Sequence, residues 1–207
     1  MADAVIRPYQ PPDRDEVYDV CLRTADSGGD ATDVYRDPTL PGDLFAGPYV
    51  YLEPEFAFVL DDGERVSGYV LGTPDTTAFV GKLRERWLPL VGGRHPLPPG
   101  PPADHEESMV EFLHHPERMI IPALADYPAH LHIDMLPHMQ RSGWGRKLIH
   151  RLFDAVRAAG APRLHLGTTR ANTAAIRFYE RLDFHRIDVP NQDGLVYLGR
   201  STQTKAV

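Results

Sequence analysis

The sequence predicts an α/β fold with at least one parallel strand crossover. The chain opens with a strand-like run and a helix, and residues 56 to 71 have the pattern of a β-hairpin. The last third alternates strand, helix, strand, helix and strand. Because a strand, a helix and a strand in this order form a parallel crossover within one sheet, the chain belongs to the α/β class.

The first 54 residues contain one predicted strand, one predicted helix and an irregular segment. Residues 6 to 9 read as a short strand, and the proline and acidic residues at 12 to 16 open a helix with apolar positions at helical spacing. Glycine, proline and aspartate recur among aromatic residues from 27 to 54. We therefore expect an ordered, irregular segment there that shapes a pocket.

The clearest local pattern is an Asp-Gly turn at residues 62 and 63. It separates two β-rich runs, 56 to 60 and 66 to 71, which is typical of a hairpin. Helices are predicted at 76 to 87 and 106 to 114, with a proline-rich stretch between them. We interpret residues 74 to 128 as an insertion within one domain that spans the whole chain.

Periodicity is more regular toward the end of the chain. Strands are predicted at 130 to 135, 163 to 166 and 195 to 198. The helices between them are predicted at 146 to 159, ending at a glycine, and at 172 to 182. This order is the basis of the predicted parallel crossover.

Composition indicates a single globular domain that binds neither membrane nor nucleic acid. The 207 residues suit one domain, and 42% hydrophobic with 25% charged residues is ordinary for such a protein. No apolar run approaches the roughly 20 residues of a membrane span. The net charge of −7 comes without a basic face. Since the start lacks signal-peptide features, we expect a cytoplasmic protein, either a monomer or a homodimer.

A glycine-containing turn is the strongest functional motif. Gln140-Arg141-Ser142-Gly143-Trp144-Gly145 lies between a predicted strand and a predicted amphipathic helix. Glycines let backbone N–H groups approach a ligand, and the N-terminus of a helix favours an anion, so the turn suits a pyrophosphate. A dinucleotide fingerprint needs a third glycine where Leu148 stands, and the Walker motif is missing.

A second motif lies on the helix predicted at 172 to 182. Asn172 occupies an N-cap position, Ala175 and Tyr179 follow on one side, and Asp183-Phe184 comes next. In combination with the glycine turn about 30 residues upstream, this order of motifs resembles the GCN5-related N-acetyltransferase (GNAT) superfamily. The resemblance covers residues 5 to 199 in the order of elements.

A finer resemblance is to the acetyltransferase-like domain at the C-terminus of O-GlcNAcase and its free-standing bacterial relatives. The segments that carry it are residues 7–9, 19–24, 35–38, 46–49 and 132–134. The eukaryotic domain of that family is regarded as a pseudo-acetyltransferase.

The GNAT resemblance implies a central mixed, twisted sheet flanked by helices. Acetyl-coenzyme A (acetyl-CoA) would lie in a V-shaped split between parallel strands at 130 to 135 and 163 to 166. The amides of the glycine turn would bind the pyrophosphate, and the N–H of Met135 would face the thioester or the pantetheine. The implied cofactor-binding residues are Met135, Leu136, Pro137, Gln140, Arg141, Ser142, Gly143, Trp144, Gly145, Arg146, Asn172, Ala175, Phe178 and Tyr179.

The resemblance also implies catalytic roles. Tyr179 would lie near the sulfur and donate its proton to the departing thiolate, and Asn172 would contact the pantetheine arm. One departure is Asp183, where the family usually has glycine; aspartate tolerates a left-handed backbone better than most residues do.

The choice of base is the second departure. Many relatives place a glutamate on the strand before the turn, whereas this strand has His130, His132 and Asp134 on one face. Asp134 is the first candidate for accepting the amine proton and His132 the second. A hydrogen-bonded structural role and metal ligation are the alternatives for these three residues. We expect no metal, and we expect Cys21 to be buried rather than a nucleophile.

These features predict an acetyl-CoA-dependent N-acetyltransferase that transfers acetyl directly to an amine in a ternary complex. The first alternative is a non-catalytic module that binds acetyl-CoA or recognises a protein or peptide. The second is a structural, partner-binding domain without a cofactor. Aromatic and acidic residues in segments 27 to 54 and 74 to 128 would suit a cationic amine or a peptide end as the acceptor, whose identity the sequence leaves open.

Overall fold

A seven-stranded mixed sheet organises the fold in the computed structural model, which describes residues 4–190 and 194–203. The strands are β1 (Val5–Pro8), β2 (Ala57–Asp61), β3 (Val66–Thr73), β4 (Ala129–Met135), β5 (Arg163–Thr169), β6 (His185–Ile187) and β7 (Leu195–Ser201). Their order across the sheet is β1-β2-β3-β4-β5-β7-β6. Only the central pair, β4 and β5, is parallel among the pairs described. The predicted parallel crossover is confirmed.

Eight helices connect or cover these strands in the described part of the chain. They are α1 (Arg14–Leu22), α2 (Leu40–Phe45), α3 (Gly47–Leu52), α4 (Thr76–Lys82), α5 (Leu88–Val91), α6 (His105–His114), α7 (Trp144–Ala158) and α8 (Thr173–Glu180). A π-helical turn, Leu83–Trp87, joins α4 to α5. The hairpin of β2 and β3 is confirmed, as are the helices predicted at 76 to 87 and 106 to 114.

The expectation of an irregular segment at 27 to 54 was wrong in part, because it contains α2 and α3. Each helix has a proline in its first turn, where the missing N–H breaks no helical hydrogen bond. Gly42 and Gly47 lie against the Tyr18 side chain so closely that a Cβ at either position would clash with it. This packing onto α1 stabilises helices that are too short to form alone.

The regular last third matches the prediction within a few residues at each boundary. Helix α7 buries one apolar face against the sheet, and burial of each such side chain contributes roughly 1.5–3 kcal/mol. The buried residues of that face are Leu148, Ile149, Leu152, Phe153 and Val156. The helix is followed by Gly160 at φ 91°, a left-handed value that favours glycine. Strand β6 was missed, because a three-residue strand carries too little periodicity to be recognised.

Two hydrophobic cores lie on opposite faces of the sheet. One packs α1 to α3 and the Phe79 region against β3, and the other packs α7 and α8 against β4 and β5. Strand β4 alternates between them: His130 contacts Tyr49 and Phe79 of the first core, whereas Leu131 belongs to the second. Among the described residues, no helix has the length and apolar character needed to cross a membrane.

Candidate active site

A V-shaped split opens between β4 and β5. Their Cα register contains only two pairs, Ala129 with Leu164 and His130 with His165. Beyond this point β4 continues to pair with β3 as far as Met135, while β5 continues to pair with β7. The two parallel strands therefore separate toward their C-terminal ends, as the sequence resemblance implies.

The hydrogen-bond register of β4 directs backbone donors into the split. The N–H of Leu136 donates to the carbonyl of Ser67 at 2.9 Å, so this residue pair is a hydrogen-bonded one. In an antiparallel ladder such pairs alternate with pairs whose N–H groups point to the opposite side. The N–H of Met135 consequently points away from β3, toward the split.

Side-chain hydrogen bonds hold the turn that follows β4. Nε2 of Gln140 donates to the carbonyl of Met135 at 2.9 Å, and Oγ of Ser142 donates to the carbonyl of Met139 at 2.5 Å. The backbone adopts φ 58° at Arg141 and φ 88° at Gly143, two left-handed residues that reverse the chain into α7. The glycine at 143 meets this demand without a steric cost.

The turn and the first turn of α7 present unsatisfied backbone donors. Within the part of the chain that the structure describes, the N–H groups of residues 141 to 146 have no hydrogen-bond acceptor. The first N–H groups of a helix lack intrahelical partners and carry the positive end of its dipole. Exposed Arg146 adds a full charge. This arrangement suits a phosphate-bearing ligand.

Close packing anchors the start of α7 beside the split. A Cβ added at Gly145 would lie 3.0 Å from Cε of Met135 and 3.0 Å from Cζ of Phe178. The Lys147 ammonium lies over the Trp144 ring, 3.9 Å from the ring centroid. Leu136 is buried before the turn and Pro137 is exposed in it. Glycine at 145 thus lets α7 approach both β4 and α8.

Helix α8 borders the split with the second motif. Oδ1 of Asn172 accepts a 3.1 Å hydrogen bond from the N–H of Ala175, which confirms the predicted N-cap.

The Tyr179 ring is buried between Phe178 and Phe184, and its hydroxyl has no hydrogen-bond partner among the described residues. Burial and the negative charge of Asp134 raise the pKa of Tyr179 above its ordinary value, so this tyrosine stays protonated. Asp183 adopts φ 62°, the left-handed backbone that the sequence predicts.

Asp134 is a partly exposed carboxylate held in place by a neighbouring strand. The Tyr69 hydroxyl donates to its Oδ2 at 2.7 Å. Burial raises the pKa of Asp134 to about 6, and the hydrogen bond from Tyr69 opposes the rise without cancelling it. A carboxylate with this pKa accepts protons near neutral pH far better than an exposed aspartate does.

Three histidines meet where the strands begin to separate. Both ring nitrogens of His130 are hydrogen-bonded, to the hydroxyls of Tyr49 and Thr76 at 2.7 Å each. Burial lowers the pKa of His132 to about 4, and the proximity of His165 is the smaller of the two causes. Burial also lowers the pKa of His130 and of His165. All three rings are therefore neutral at pH 7.

His165 is a site residue that sequence reasoning missed. Its Nδ1–H donates to the carbonyl of Tyr127 at 2.7 Å, which fixes the tautomer. Its ring centroid lies 5.7 Å from that of His130. The two residues are Cα partners on β4 and β5, and only the register of these parallel strands reveals that neighbourhood.

A large cleft begins at this histidine cluster. Its volume is about 1110 Å³. Its walls come from β4, β5, the start of β7, α6 and the segment after α6, with Tyr35 and Phe45 from the N-terminal segment. Both segments expected to shape a pocket therefore contribute to it.

The charge of the cleft differs from the expected acidic character. None of the described residues that line it is Asp or Glu, and its charged side chain is Arg118, which pairs with Glu111 at 3.1 Å. Two buried acidic residues of the two segments are paired elsewhere: Asp43 accepts from Arg94 at 2.8 Å, and Glu53 accepts from Lys82 at 2.7 Å.

The candidate metal ligands and the single cysteine can be located in the structure. Across residues 4–190 and 194–203, no group of three or more His, Cys, Asp or Glu side chains is arranged to hold a metal ion. Cys21 is buried, as predicted, and burial raises the pKa of its thiol to about 12. A thiol with this pKa is a poor nucleophile at neutral pH.

The fold and the split are those of the acetyltransferase fold class, and comparison with known proteins identifies the family. Residues 104–184 match the model of the Acetyltransferase (GNAT) family. The crystal structure of SsHAT is 51% identical in sequence and matches with a TM-score of 0.94, over 98% of this chain and 100% of its own. The chain belongs to the GNAT acetyltransferase family.

More distant relatives agree with this assignment. Protein O-GlcNAcase from Rattus norvegicus is 27% identical over 202 residues, which are 95% of this chain and 22% of that protein. This chain thus spans under a quarter of the relative's length, and the predicted homology to the O-GlcNAcase C-terminal region is confirmed. The yncA protein from Salmonella typhimurium, solved with its cofactor acetyl-CoA, is 15% identical with a TM-score of 0.58, over 100% of this chain and 98% of its own. At that identity the likeness concerns the fold.

Proposed function

We propose that this chain transfers the acetyl group of acetyl-CoA to an amine by direct attack within a ternary complex. The observation that carries the proposal is the run of unsatisfied N–H groups at residues 141 to 146, directly beside the split between β4 and β5. The donors suit the pyrophosphate of coenzyme A, and the split suits its extended pantetheine arm. The solved yncA structure, which contains acetyl-CoA, has the same fold.

Residues on both sides of the split would bind the cofactor. The N–H of Met135 points toward the split, where a carbonyl of the pantetheine or of the thioester can accept from it. On the α8 side, the Phe178 side chain lies against Gly145 as Met135 does, and Asn172 caps the same helix. The predicted cofactor-binding residues all belong to β4, the turn, the start of α7 or α8.

The chemistry needs one base and one acid. The neutral amine nitrogen attacks the thioester carbonyl carbon, the C–S bond breaks, and the nitrogen loses a proton. Asp134, with its pKa near 6, is the proposed acceptor of that proton, and His132 is the second candidate. Tyr179 keeps its proton at neutral pH and has no protein partner within the described residues, so its hydroxyl is available to protonate the thiolate.

Calorimetry and thiol release test the proposal separately. Titration with acetyl-CoA should give saturable heat, and incubation with an acceptor panel should release free coenzyme A faster than the enzyme-free control. Binding without release would leave the non-catalytic, acetyl-CoA-binding module. Absence of both heat and thermal stabilisation at saturating acetyl-CoA would overturn the cofactor assignment.

A further inference from the structure

We propose that the amine acceptor is an aromatic molecule with no charge other than that of the reacting amine, and that its ring binds in the cleft of about 1110 Å³. The inference rests on the proposed acetyl transfer. It names the substrate class of that same site and replaces the cationic acceptor that the sequence suggests.

The position of the cleft links it to the chemistry. Its walls include His130 and His132 of β4 and His165 and Gly167 of β5, which are residues at and just beyond the last paired positions. The cleft therefore reaches the vertex of the split. An acceptor held there can present its nitrogen to a thioester that lies in the split.

The lining offers no counter-charge for an additional ammonium group. Described lining residues include no carboxylate, and Arg118 is positive. A buried charge without a partner costs several kcal/mol. Polyamines, and lysine peptides with a free N-terminus, keep a second ammonium group and would incur this cost on entering the cleft. A single amine loses its charge on deprotonation, before it attacks.

The neutral histidines and aromatic side chains suit a ring. Tyr35, Phe45 and Phe112 line the cleft, and the His132 ring lies 5.7 Å from that of Phe45. Aromatic pairs at such separations add about 0.5–1.5 kcal/mol to the burial of area. His132 has no protein hydrogen bond among the described residues, so a neutral ring nitrogen is available to the amine.

Other lining residues of the cleft are apolar. Met109, Met119 and Ile120 line it together with leucine and proline side chains. Methionine side chains adapt to flat rings and make favourable sulfur contacts with them. The structure thus combines a polar vertex with an apolar body, which matches an amine attached to an aromatic ring.

Coenzyme A release with matched amines tests the inference. The probes are 2-phenylethylamine and 4-methylaniline against putrescine and a lysine-containing tetrapeptide. We expect the aromatic amines to exceed both others in kcat/KM by at least about tenfold, which corresponds to about 1.4 kcal/mol. Putrescine or the tetrapeptide with the higher kcat/KM would overturn the inference while leaving the acetyltransferase intact.

A charge placed in the cleft should change this preference. Ile120 lines the cleft and is 45% exposed, so Ile120→Glu adds a carboxylate there with little risk to folding. It should raise kcat/KM for putrescine relative to 2-phenylethylamine by at least about fivefold. Leu90→Glu is the matched control, because Leu90 is 54% exposed and lies outside the lining. An equal shift in both variants, or none in Ile120→Glu, would contradict the assignment of the cleft.

A binding readout separates the inference from the proposed function. With methyl-¹³C-methionine in the full chain, 2-phenylethylamine should shift the Met109 and Met119 methyl signals through ring currents, and putrescine at equal concentration should not. These shifts are expected even if the chain acetylates none of the amines. In that case the proposed acetyl transfer would be contradicted, and the proposed acceptor class would stand. Unchanged signals at saturating 2-phenylethylamine would overturn the acceptor class, whatever the activity.

Discussion

The hydroxyl of Tyr69 donates a 2.7 Å hydrogen bond to Oδ2 of Asp134, its direct cross-strand neighbour on β3 and β4. The bond fixes the carboxylate on the strand that borders the split. Burial nevertheless dominates and raises the pKa of Asp134 to about 6. Its position and its raised pKa support the proposal that Asp134 takes the amine proton.

Asp134→Asn should remove the base while keeping the hydrogen bond from Tyr69, because the Asn carbonyl oxygen also accepts. We expect kcat/KM to fall at least about 100-fold at pH 7.5. In the wild type, the pH profile of kcat/KM for 4-methylaniline should contain an ionisation at about pH 6, and the variant should retain only the rise caused by deprotonation of the amine itself. If the variant keeps wild-type activity and the same pH profile, Asp134 is not the base, and His132 becomes the first candidate.

The same substitution should affect stability with a definite sign. Because burial raises the folded-state pKa of Asp134 above 3.8, the wild type gains stability from protonation at low pH and loses it as pH rises through about 6. Asp134→Asn should therefore be more stable than the wild type at pH 8, by about 1–3 kcal/mol. Urea unfolding at pH 4 and pH 8 measures the difference, which should shrink toward zero at pH 4.

Tyr179→Phe should separate catalysis from cofactor binding. The hydroxyl has no partner among the described residues, while the ring packs on Phe178 and Phe184, so phenylalanine retains the packing. We expect kcat to fall about 100-fold, with the Kd of acetyl-CoA changed less than about twofold. Stopped-flow thiol release and calorimetry provide the two numbers. An unchanged kcat would exclude Tyr179 as the proton donor.

Local patterns predicted most of the fold because their causes are local. The hairpin of β2 and β3, the amphipathic face of α7 and the cap at Asn172 each depend on residues close in sequence. Helices α2 and α3 were missed because their stability comes from packing on Tyr18, a contact between segments that no window of sequence contains.

Some features of the candidate site were likewise predictable from local sequence, and others were not. The left-handed backbone at Gly143 and Asp183 follows from turn chemistry and was predictable. The Tyr69–Asp134 bond and the approach of His165 to His130 depend on strand register, which a single sequence does not reveal. The expected carboxylates are missing from the cleft lining because acidic residues of its segments pair with basic ones: Asp43 with Arg94 and Glu53 with Lys82 outside the lining, and Glu111 with Arg118 at it.

The histidine cluster predicts loss of stability in acid. Burial lowers the folded-state pKa of His132 to about 4 from 6.5, so its contribution to stability is present above pH 6.5 and is lost as pH falls toward 4. His132→Phe retains the aromatic contacts with Phe45 and Tyr49 and should flatten this dependence, by about 1–3 kcal/mol between pH 6.5 and 4. Urea unfolding across this range measures it. The control is His115→Phe at an exposed position, which should leave the pH dependence of the free energy of unfolding as in the wild type.

Gly143 and Gly160 form a matched pair for testing the turn. Both have left-handed φ, 88° and 91°, and a Cβ at either would meet nothing within 4 Å. Alanine at each position should therefore cost a similar free energy of unfolding, about 1–2 kcal/mol, from backbone strain alone. Only Gly143→Ala alters the backbone whose N–H groups are unsatisfied, so only this variant should weaken acetyl-CoA binding, by at least about tenfold in calorimetry. Equal affinity in the two variants would show that the N–H groups of residues 141 to 146 do not hold the pyrophosphate.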